Sequence, residues 1–240
     1  MIIKNLLSDT QLSRFKESFS NEDVWSQSQL TGNTTNFDFK FNREYIGIDK
    51  EFLDQELINA LSNSIPWREY VVAPKSSGSI LYLKYEKNSL YKYHADVSKG
   101  TEISFTYAST LFLSDPEEYE GGELILTINN EDIEYKLPCN TLVTYPVGTK
   151  HRVNKVTKGT RHVAVFWTES FITDEADRNL IRELNQISRS IHTVLEEEFN
   201  VQEITETSFS DILVDLTRLT ETIHNKYPRW RNPNCTLISE

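Results

Sequence analysis

The sequence predicts a mainly β fold with flanking helices, an α+β arrangement whose core is a sandwich or jelly roll. Three observations predict it. Short runs rich in Tyr, Thr, Val and Phe recur at 80–85, 89–93, 104–113, 123–128, 141–145 and 161–167. Residues of this kind suit a pleated, half-buried surface. Turn signals separate the runs, among them Asp115-Pro116, Gly121-Gly122, Asn129-Asn130 and Lys158-Gly159. Amphipathic helical patterns bracket the block on both sides, and about seven or eight strands at this spacing fit a sandwich or jelly roll.

The first part, 1–67, reads as helices and loops that support the sheet. Ser8-Asp9-Thr10-Gln11 fits a capping box, followed by the apolar stripe Leu12, Phe15, Phe19. Asp49 is placed to cap a second helix with the stripe Phe52, Leu53, Leu57, Leu61. Between them, the Thr-, Asn- and Gly-rich stretch around Leu30 to Asn36 reads as loop. The strand-rich block, 68–172, is the expected core. The last part, 173–240, returns to helix: Asp174 before Leu180, Leu184, Ile187, Ile191 and Leu195, then Ser210 before Ile212, Leu216, Leu219 and Ile223. Such stripes buttress a sheet or form a partner surface. The three parts are expected to form one compact unit.

The chain has 240 residues, 38% hydrophobic and 25% charged, which suits a globular domain with a substantial core. Its net charge of −11 argues against a phosphate-binding surface, and so against nucleic acid as partner. The two cysteines, Cys139 and Cys235, are too few and too far apart for a disulfide scaffold or a Cys-type zinc site. They read as reduced thiols of a cytoplasmic protein. Neither a signal peptide nor a membrane span is expected, because the N-terminus turns polar early and no apolar run is long enough.

Five histidines are present. His192 and His224 fall in the C-terminal helical patterns and read as surface or packing residues. His94-Ala95-Asp96 closes a strand-like run. Residues i and i+2 of a strand point the same way, so imidazole and carboxylate project together. A second imidazole would complete a 2-His-1-carboxylate triad, which leaves open positions on non-haem Fe(II). His151, 57 residues on, follows the turn Tyr145-Pro146-Val147-Gly148 and is placed to start a strand. Ten residues further lies Arg161. With Lys158-Gly159-Thr160 as a hairpin turn, Arg161 is expected on the strand next to that of His151. Alternation puts Arg161, Val163, Val165 and Trp167 on one face and His162, Ala164 and Phe166 on the other. An Arg among apolar residues is costly unless it meets an anion, and a guanidinium holds a carboxylate with two parallel bonds. Each signal alone is weak; their order in one β-rich block is specific.

These residues resemble those of the Fe(II)/2-oxoglutarate dioxygenases, within them the prolyl 4-hydroxylase-like group, and most closely the PKHD-type hydroxylases. The resemblance extends to 111–116, Leu-Phe-Leu-Ser-Asp-Pro, to Glu118-Tyr119-Glu120-Gly121-Gly122-Glu123-Leu124, to Tyr145-Pro146 with His151-Arg152-Val153, and to 156–161 with Phe166-Trp167. It implies a double-stranded β-helix (jelly roll), with iron on His94, Asp96 and His151. It further implies 2-oxoglutarate as cosubstrate, its distal carboxylate on Arg161 with help from Tyr85, and ascorbate as an accessory. Tyr91 and Tyr93 compete for the role of Tyr85, and with Trp167 are candidate pocket residues. The implied reaction is hydroxylation of a prolyl residue in a peptide or protein, with succinate and CO₂ as coproducts. Val97-Ser98-Lys99-Gly100 and 31–36 depart from the family pattern, which leaves the substrate open. Lys84, Lys87, Lys92, Lys99, Lys150, Arg152, Lys155 and Lys158 form an expected basic neighbourhood that could steer anions. The rival readings are an oxygenase of nucleic acid or of a small molecule, a cupin-like metal enzyme without 2-oxoglutarate, and a non-catalytic binding module.

Overall fold

The computed structural model describes residues 1–27, 40–96, 105–198 and 208–227. The expected loop at 31–36, the departure at 97–100 with Lys99, and Cys235 lie outside them. In chain order the elements are β1 (Ile2–Lys4), α1 (Asp9–Phe19), β2 (Trp25–Gln27), β3 (Lys40–Phe41), β4 (Arg43–Tyr45), α2 (Lys50–Asn63), α3 (Ile65–Val71), β5 (Pro74–Ser77) and β6 (Leu81–Tyr85). They continue with β7 (Leu90–His94), β8 (Tyr107–Phe112), β9 (Tyr119–Glu120), β10 (Leu124–Ile128), β11 (Glu131–Tyr135), β12 (Thr141–Pro146), β13 (His151–Val153), β14 (Lys158–Gly159), β15 (Arg161–Ser170), α4 (Glu175–Glu198) and α5 (Ser208–His224).

Among the described residues the strands pair antiparallel into two main sheets. The major sheet runs β1-β12-β8-β15-β6-β4-β2, with β5 beside β15, and the minor sheet runs β11-β10-β13-β7-β3. Their inner faces meet through Leu83, Phe112 and Val163 on one side and Leu124, Leu126 and Val153 on the other. This is the jelly roll the sequence predicts. The outer face of the major sheet is sealed by α1, α2 and α3, whose Phe15, Phe19, Leu57, Leu61 and Trp67 pack on Tyr82, Leu111, Ala164 and Phe166. Covering on both sides explains why β8 is buried at every residue. Deleting a side chain such as Leu57 or Leu111 to Ala would cost about 2–5 kcal/mol.

The local signals act as read in several places. Ser8 caps α1 through a capping box with Gln11, worth about 1 kcal/mol. Asp174 accepts from the Asp177 N–H at the start of α4. Asp49 precedes α2 but makes no capping bond. Its carboxylate instead accepts from the hydroxyls of Ser18 and Tyr45, which tie α1 and β4 to this corner. The first part is also less helical than its composition suggests. It supplies β1 and β2 to β4, strands of two or three residues too short to show a period. On the C-terminal helices the buried face is Ile181 and Leu184 with Ile223, against Val72 and Ile172. Leu180, Ile187 and Leu219 of the expected stripes are exposed. Positions 192 and 224 fall on α4 and α5. No helix of the described residues is long and apolar enough to cross a membrane.

Candidate active site

A cavity opens between the two sheets. At its mouth, β13 pairs with β7 so that His151 stands opposite His94. Asp96 lies two residues past His94, just beyond the end of β7. One atom from each of the three side chains lies within 4.8 Å of the others. The Asp96 carboxylate is 3.7 Å from His94 Nε2 and 3.8 Å from His151 Nε2.

The backbone sets which nitrogen of each ring faces inward. His94 Nδ1 is 2.8 Å from the Lys92 carbonyl, and His151 Nδ1 is 2.8 Å from the Thr149 carbonyl. A carbonyl only accepts, so each Nδ1 carries a proton and Nε2 is the nitrogen that faces Asp96. Burial, then the neighbouring His151, pushes the His94 pKa down to about 4, which keeps the ring neutral near pH 7. The Trp167 indole donates to Asp96 Oδ2 at 2.9 Å. Oriented imidazoles beside a hydrogen-bonded carboxylate are the donor set and outer support that a divalent transition metal requires.

Deeper in the cavity lies Arg161, 1% exposed. Among the described residues none of its three guanidinium nitrogens has a hydrogen-bond partner. Its charge sits over the rings of Tyr85 and Phe112, at 5.1 and 5.2 Å. Tyr85 stands directly across from it, on β6. Burial raises the Tyr85 pKa and the guanidinium opposes that rise. The turn before β10 makes room for the Arg161 stem. Gly122 has φ +70°, and a Cβ there would meet Val156 at 2.9 Å and Arg161 Cδ at 3.2 Å. Glycine is therefore required both by conformation and by the close approach.

The structure brings His94, Asp96, His151, Arg161, Tyr85, Tyr91 and Trp167 to one cavity, along with Val163 and Val165. The face assigned to β15 by alternation is thus the observed one. Three placements differ. Arg161 is not on a strand beside that of His151: β13 belongs to the minor sheet and β15 to the major sheet, so the two residues face each other across the barrel. The segment read as a hairpin turn, Lys158-Gly159, forms β14 and pairs with β9 instead. Tyr93 lies outside the cavity. The pairing of β7 with β13 shifts between Tyr91 and His94, which sends Tyr93 outward to Asp132, between Lys150 and Arg152. Tyr91 stays inside and stacks on His94 at 3.6 Å.

The basic neighbourhood also resolves differently. Lys84 is buried on the outer face and paired with Glu22 and Glu86, and Lys158 pairs with Glu120. The lysine that reaches the cavity is Lys40 on β3, 4% exposed, its ammonium 5.4 Å from the Tyr91 ring. Burial lowers its pKa, against the pull of Glu44 and Asp96. The alternation Phe37, Phe39, Phe41 around it was a readable strand signal. Tyr145 is a further cavity residue. It lines the cavity 5.4 Å from His151, and burial raises its pKa.

Comparison with known proteins agrees with this geometry. Residues 80–169 match the model of the 2OG-Fe(II) oxygenase superfamily. A PKHD-type hydroxylase of Crocosphaera subtropica is 33% identical over 205 residues, 80% of this chain and 87% of that protein. One from Acinetobacter baumannii is 28% identical over 236 residues, 95% of this chain and 97% of that protein. Among solved structures, a prolyl hydroxylase of Trichoplax adhaerens matches with a TM-score of 0.55 at 16% identity, over 75% of this chain and 86% of that one. The chain belongs to the PKHD-type hydroxylases of the 2OG-Fe(II) oxygenase superfamily, dioxygenases that use Fe(II) and 2-oxoglutarate.

Proposed function

We propose that this chain hydroxylates prolyl residues of a peptide or protein, with Fe(II) held by His94, Asp96 and His151 and 2-oxoglutarate anchored by Arg161 and Tyr85. The observation that carries the cosubstrate assignment is Arg161, a buried cation with no hydrogen-bond partner among the described residues, in the same cavity as the three ligands. A buried guanidinium of this kind demands an anion, and a distal carboxylate satisfies it with two bonds.

Bound iron would activate O₂, coupling decarboxylation of 2-oxoglutarate to succinate and CO₂ with transfer of one oxygen atom into a substrate C–H bond. The protein's own part is orientation and exclusion of water. The carbonyls of Lys92 and Thr149 fix the two imidazoles, and the Trp167 indole fixes the carboxylate. Leu124, Val153, Val163 and Val165 dry the walls. No general base is needed. The prolyl assignment is supported by the name of the Trichoplax protein, solved with a hypoxia inducible factor peptide fragment. The aromatic wall of Tyr91, Tyr145 and Trp167 also suits the apolar face of a pyrrolidine ring.

The test begins with anaerobic addition of Fe(II) and then 2-oxoglutarate, watching for the visible charge-transfer band of the chelate. We expect the band in wild type and its loss in His94→Ala. Bound iron without a band would overturn the cosubstrate assignment. Prolyl-containing peptides are then supplied with O₂ and ascorbate, and products are read by mass spectrometry for one added oxygen. Oxidation of a different residue or compound would leave the cofactor assignment standing and overturn the prolyl one.

A further inference from the structure

The major sheet separates the cavity of Arg161 from a second one. Tyr107 and Ala108 are consecutive on β8; Ala108 lines the first cavity and Tyr107 the second. The second measures about 220 Å³ and lies between the first turns of α4 and the residues leading into β8. Room of this size holds several water molecules or a small polyatomic ion.

Its cations are Arg178 and Arg182, one turn apart on α4. Arg178 is 7% exposed. Its Nη1 donates to the carbonyls of Ile172 at 2.6 Å and Thr173 at 2.9 Å, while its buried Nε has no partner. Arg182 Nη1 donates to the Tyr70 carbonyl at 2.8 Å and the Tyr107 hydroxyl at 2.9 Å, and Nη2 donates to Asn179. The two guanidinium groups sit over the rings of Tyr107 and Tyr70, at 5.8 and 5.2 Å. Both are thus held in place by neutral groups. Among the described residues neither has a carboxylate within ion-pair distance, although Glu175 lines the same cavity.

Like charges at i and i+4 repel, and a buried cation without a counter-charge is costly. The positive end of the α4 dipole adds to the same field. Arg178 and Arg182 together outweigh Glu175, the carboxylate that lines the same cavity, so a net positive charge is left for something from outside to balance. We propose that this cavity is an anion-binding site for a phosphate or carboxylate group, held by Arg178 and Arg182 and independent of Arg161.

The test titrates the full chain with inorganic phosphate and, separately, with acetate, by calorimetry. Arg161→Leu removes the anion site of the first cavity and serves as the reference. We expect Arg161→Leu, which keeps only the second site, to retain binding of one of the two anions. Arg182→Met and Arg178→Lys, each checked for native circular dichroism, should weaken that binding at least tenfold. Arg178→Lys keeps the charge and loses the fork, so the second variant reports on geometry if the first does not fold. Tighter binding of phosphate assigns the ligand as a phosphate ester or free phosphate, and tighter binding of acetate as a carboxylate. No binding of either anion would overturn the proposal. So would binding that disappears in Arg161→Leu and survives in Arg182→Met.

Discussion

Lys84 and Arg161 sit on neighbouring strands, one register step apart, and are 3% and 1% exposed. Both are buried cations, yet the chain treats them oppositely. Lys84 faces the helices, and Glu22 and Glu86 neutralise it from within. Arg161 faces the cavity and has no carboxylate partner among the described residues. Lys84 carries its own counter-charge in the sequence, whereas Arg161 has none among the described residues, as its proposed role in holding a carboxylate requires. His162 lies beside both: it follows Arg161 in the chain, stands across from Lys84, and packs its ring on Phe19 and Trp25.

The comparison breaks first at Arg161. Arg161→Leu should raise the Kd for 2-oxoglutarate about 100-fold or more, with iron affinity and thermal stability preserved, because the variant removes an unpaired buried charge. Anaerobic calorimetry on the metal-loaded protein checks this, and an unchanged Kd would end the role assigned to Arg161. The next effect is acid sensitivity at His162. Burial, then Lys84, pushes its pKa down to about 4 in the fold, below the usual value near 6.5. The unfolded chain therefore binds the proton first. Stability from this group is complete above about pH 6.5, falls as pH drops toward 4, and falls no further below that. We expect His162→Phe to recover about 2 kcal/mol of denaturation free energy at pH 4 relative to wild type and little at pH 7. Equal pH slopes in the two proteins would refute the assignment.

Trp167→Phe keeps the ring but removes the N–H that Asp96 accepts. Fe(II) affinity should fall about tenfold, as read by competition with a metal-sensitive dye. The smallest effect is at Lys84. Lys84→Met should cost about 1 kcal/mol in urea denaturation, since Glu22 is largely solvent-exposed and can rehydrate, and should leave 2-oxoglutarate binding alone. A large loss of cosubstrate affinity in this variant would erase the distinction between the two cations.

What could be read from the chain follows the range of the interactions. His94 and Asp96 are two residues apart, so local geometry suffices to pair them, and the alternation of β15 correctly points Arg161, Val163, Val165 and Trp167 inward. The failures come from longer range. The register shift that expels Tyr93 depends on the pairing of β7 with β13. The placement of β13 and β15 in different sheets depends on the whole topology. Lys40 enters the cavity only because the two-residue strand β3 pairs at the edge of the minor sheet. Asp49 looks like a cap until β4 brings the Tyr45 hydroxyl to it. In each case a strand too short to announce itself decides where a side chain goes.

The pairing of β1 with β12 has a kinetic side. The Met1 amino group meets the Thr144 carbonyl across a separation of 143 residues, and the Asn140 side chain clasps both the N–H and the carbonyl of Leu7 at 2.7 Å. The partner of the first strand is therefore made long after it. On the ribosome, where synthesis runs at about 5–20 residues per second, β1 waits on the order of ten seconds as an unpaired edge with apolar residues showing. Protection of β1 in a hydrogen-exchange pulse should appear no earlier than that of β12.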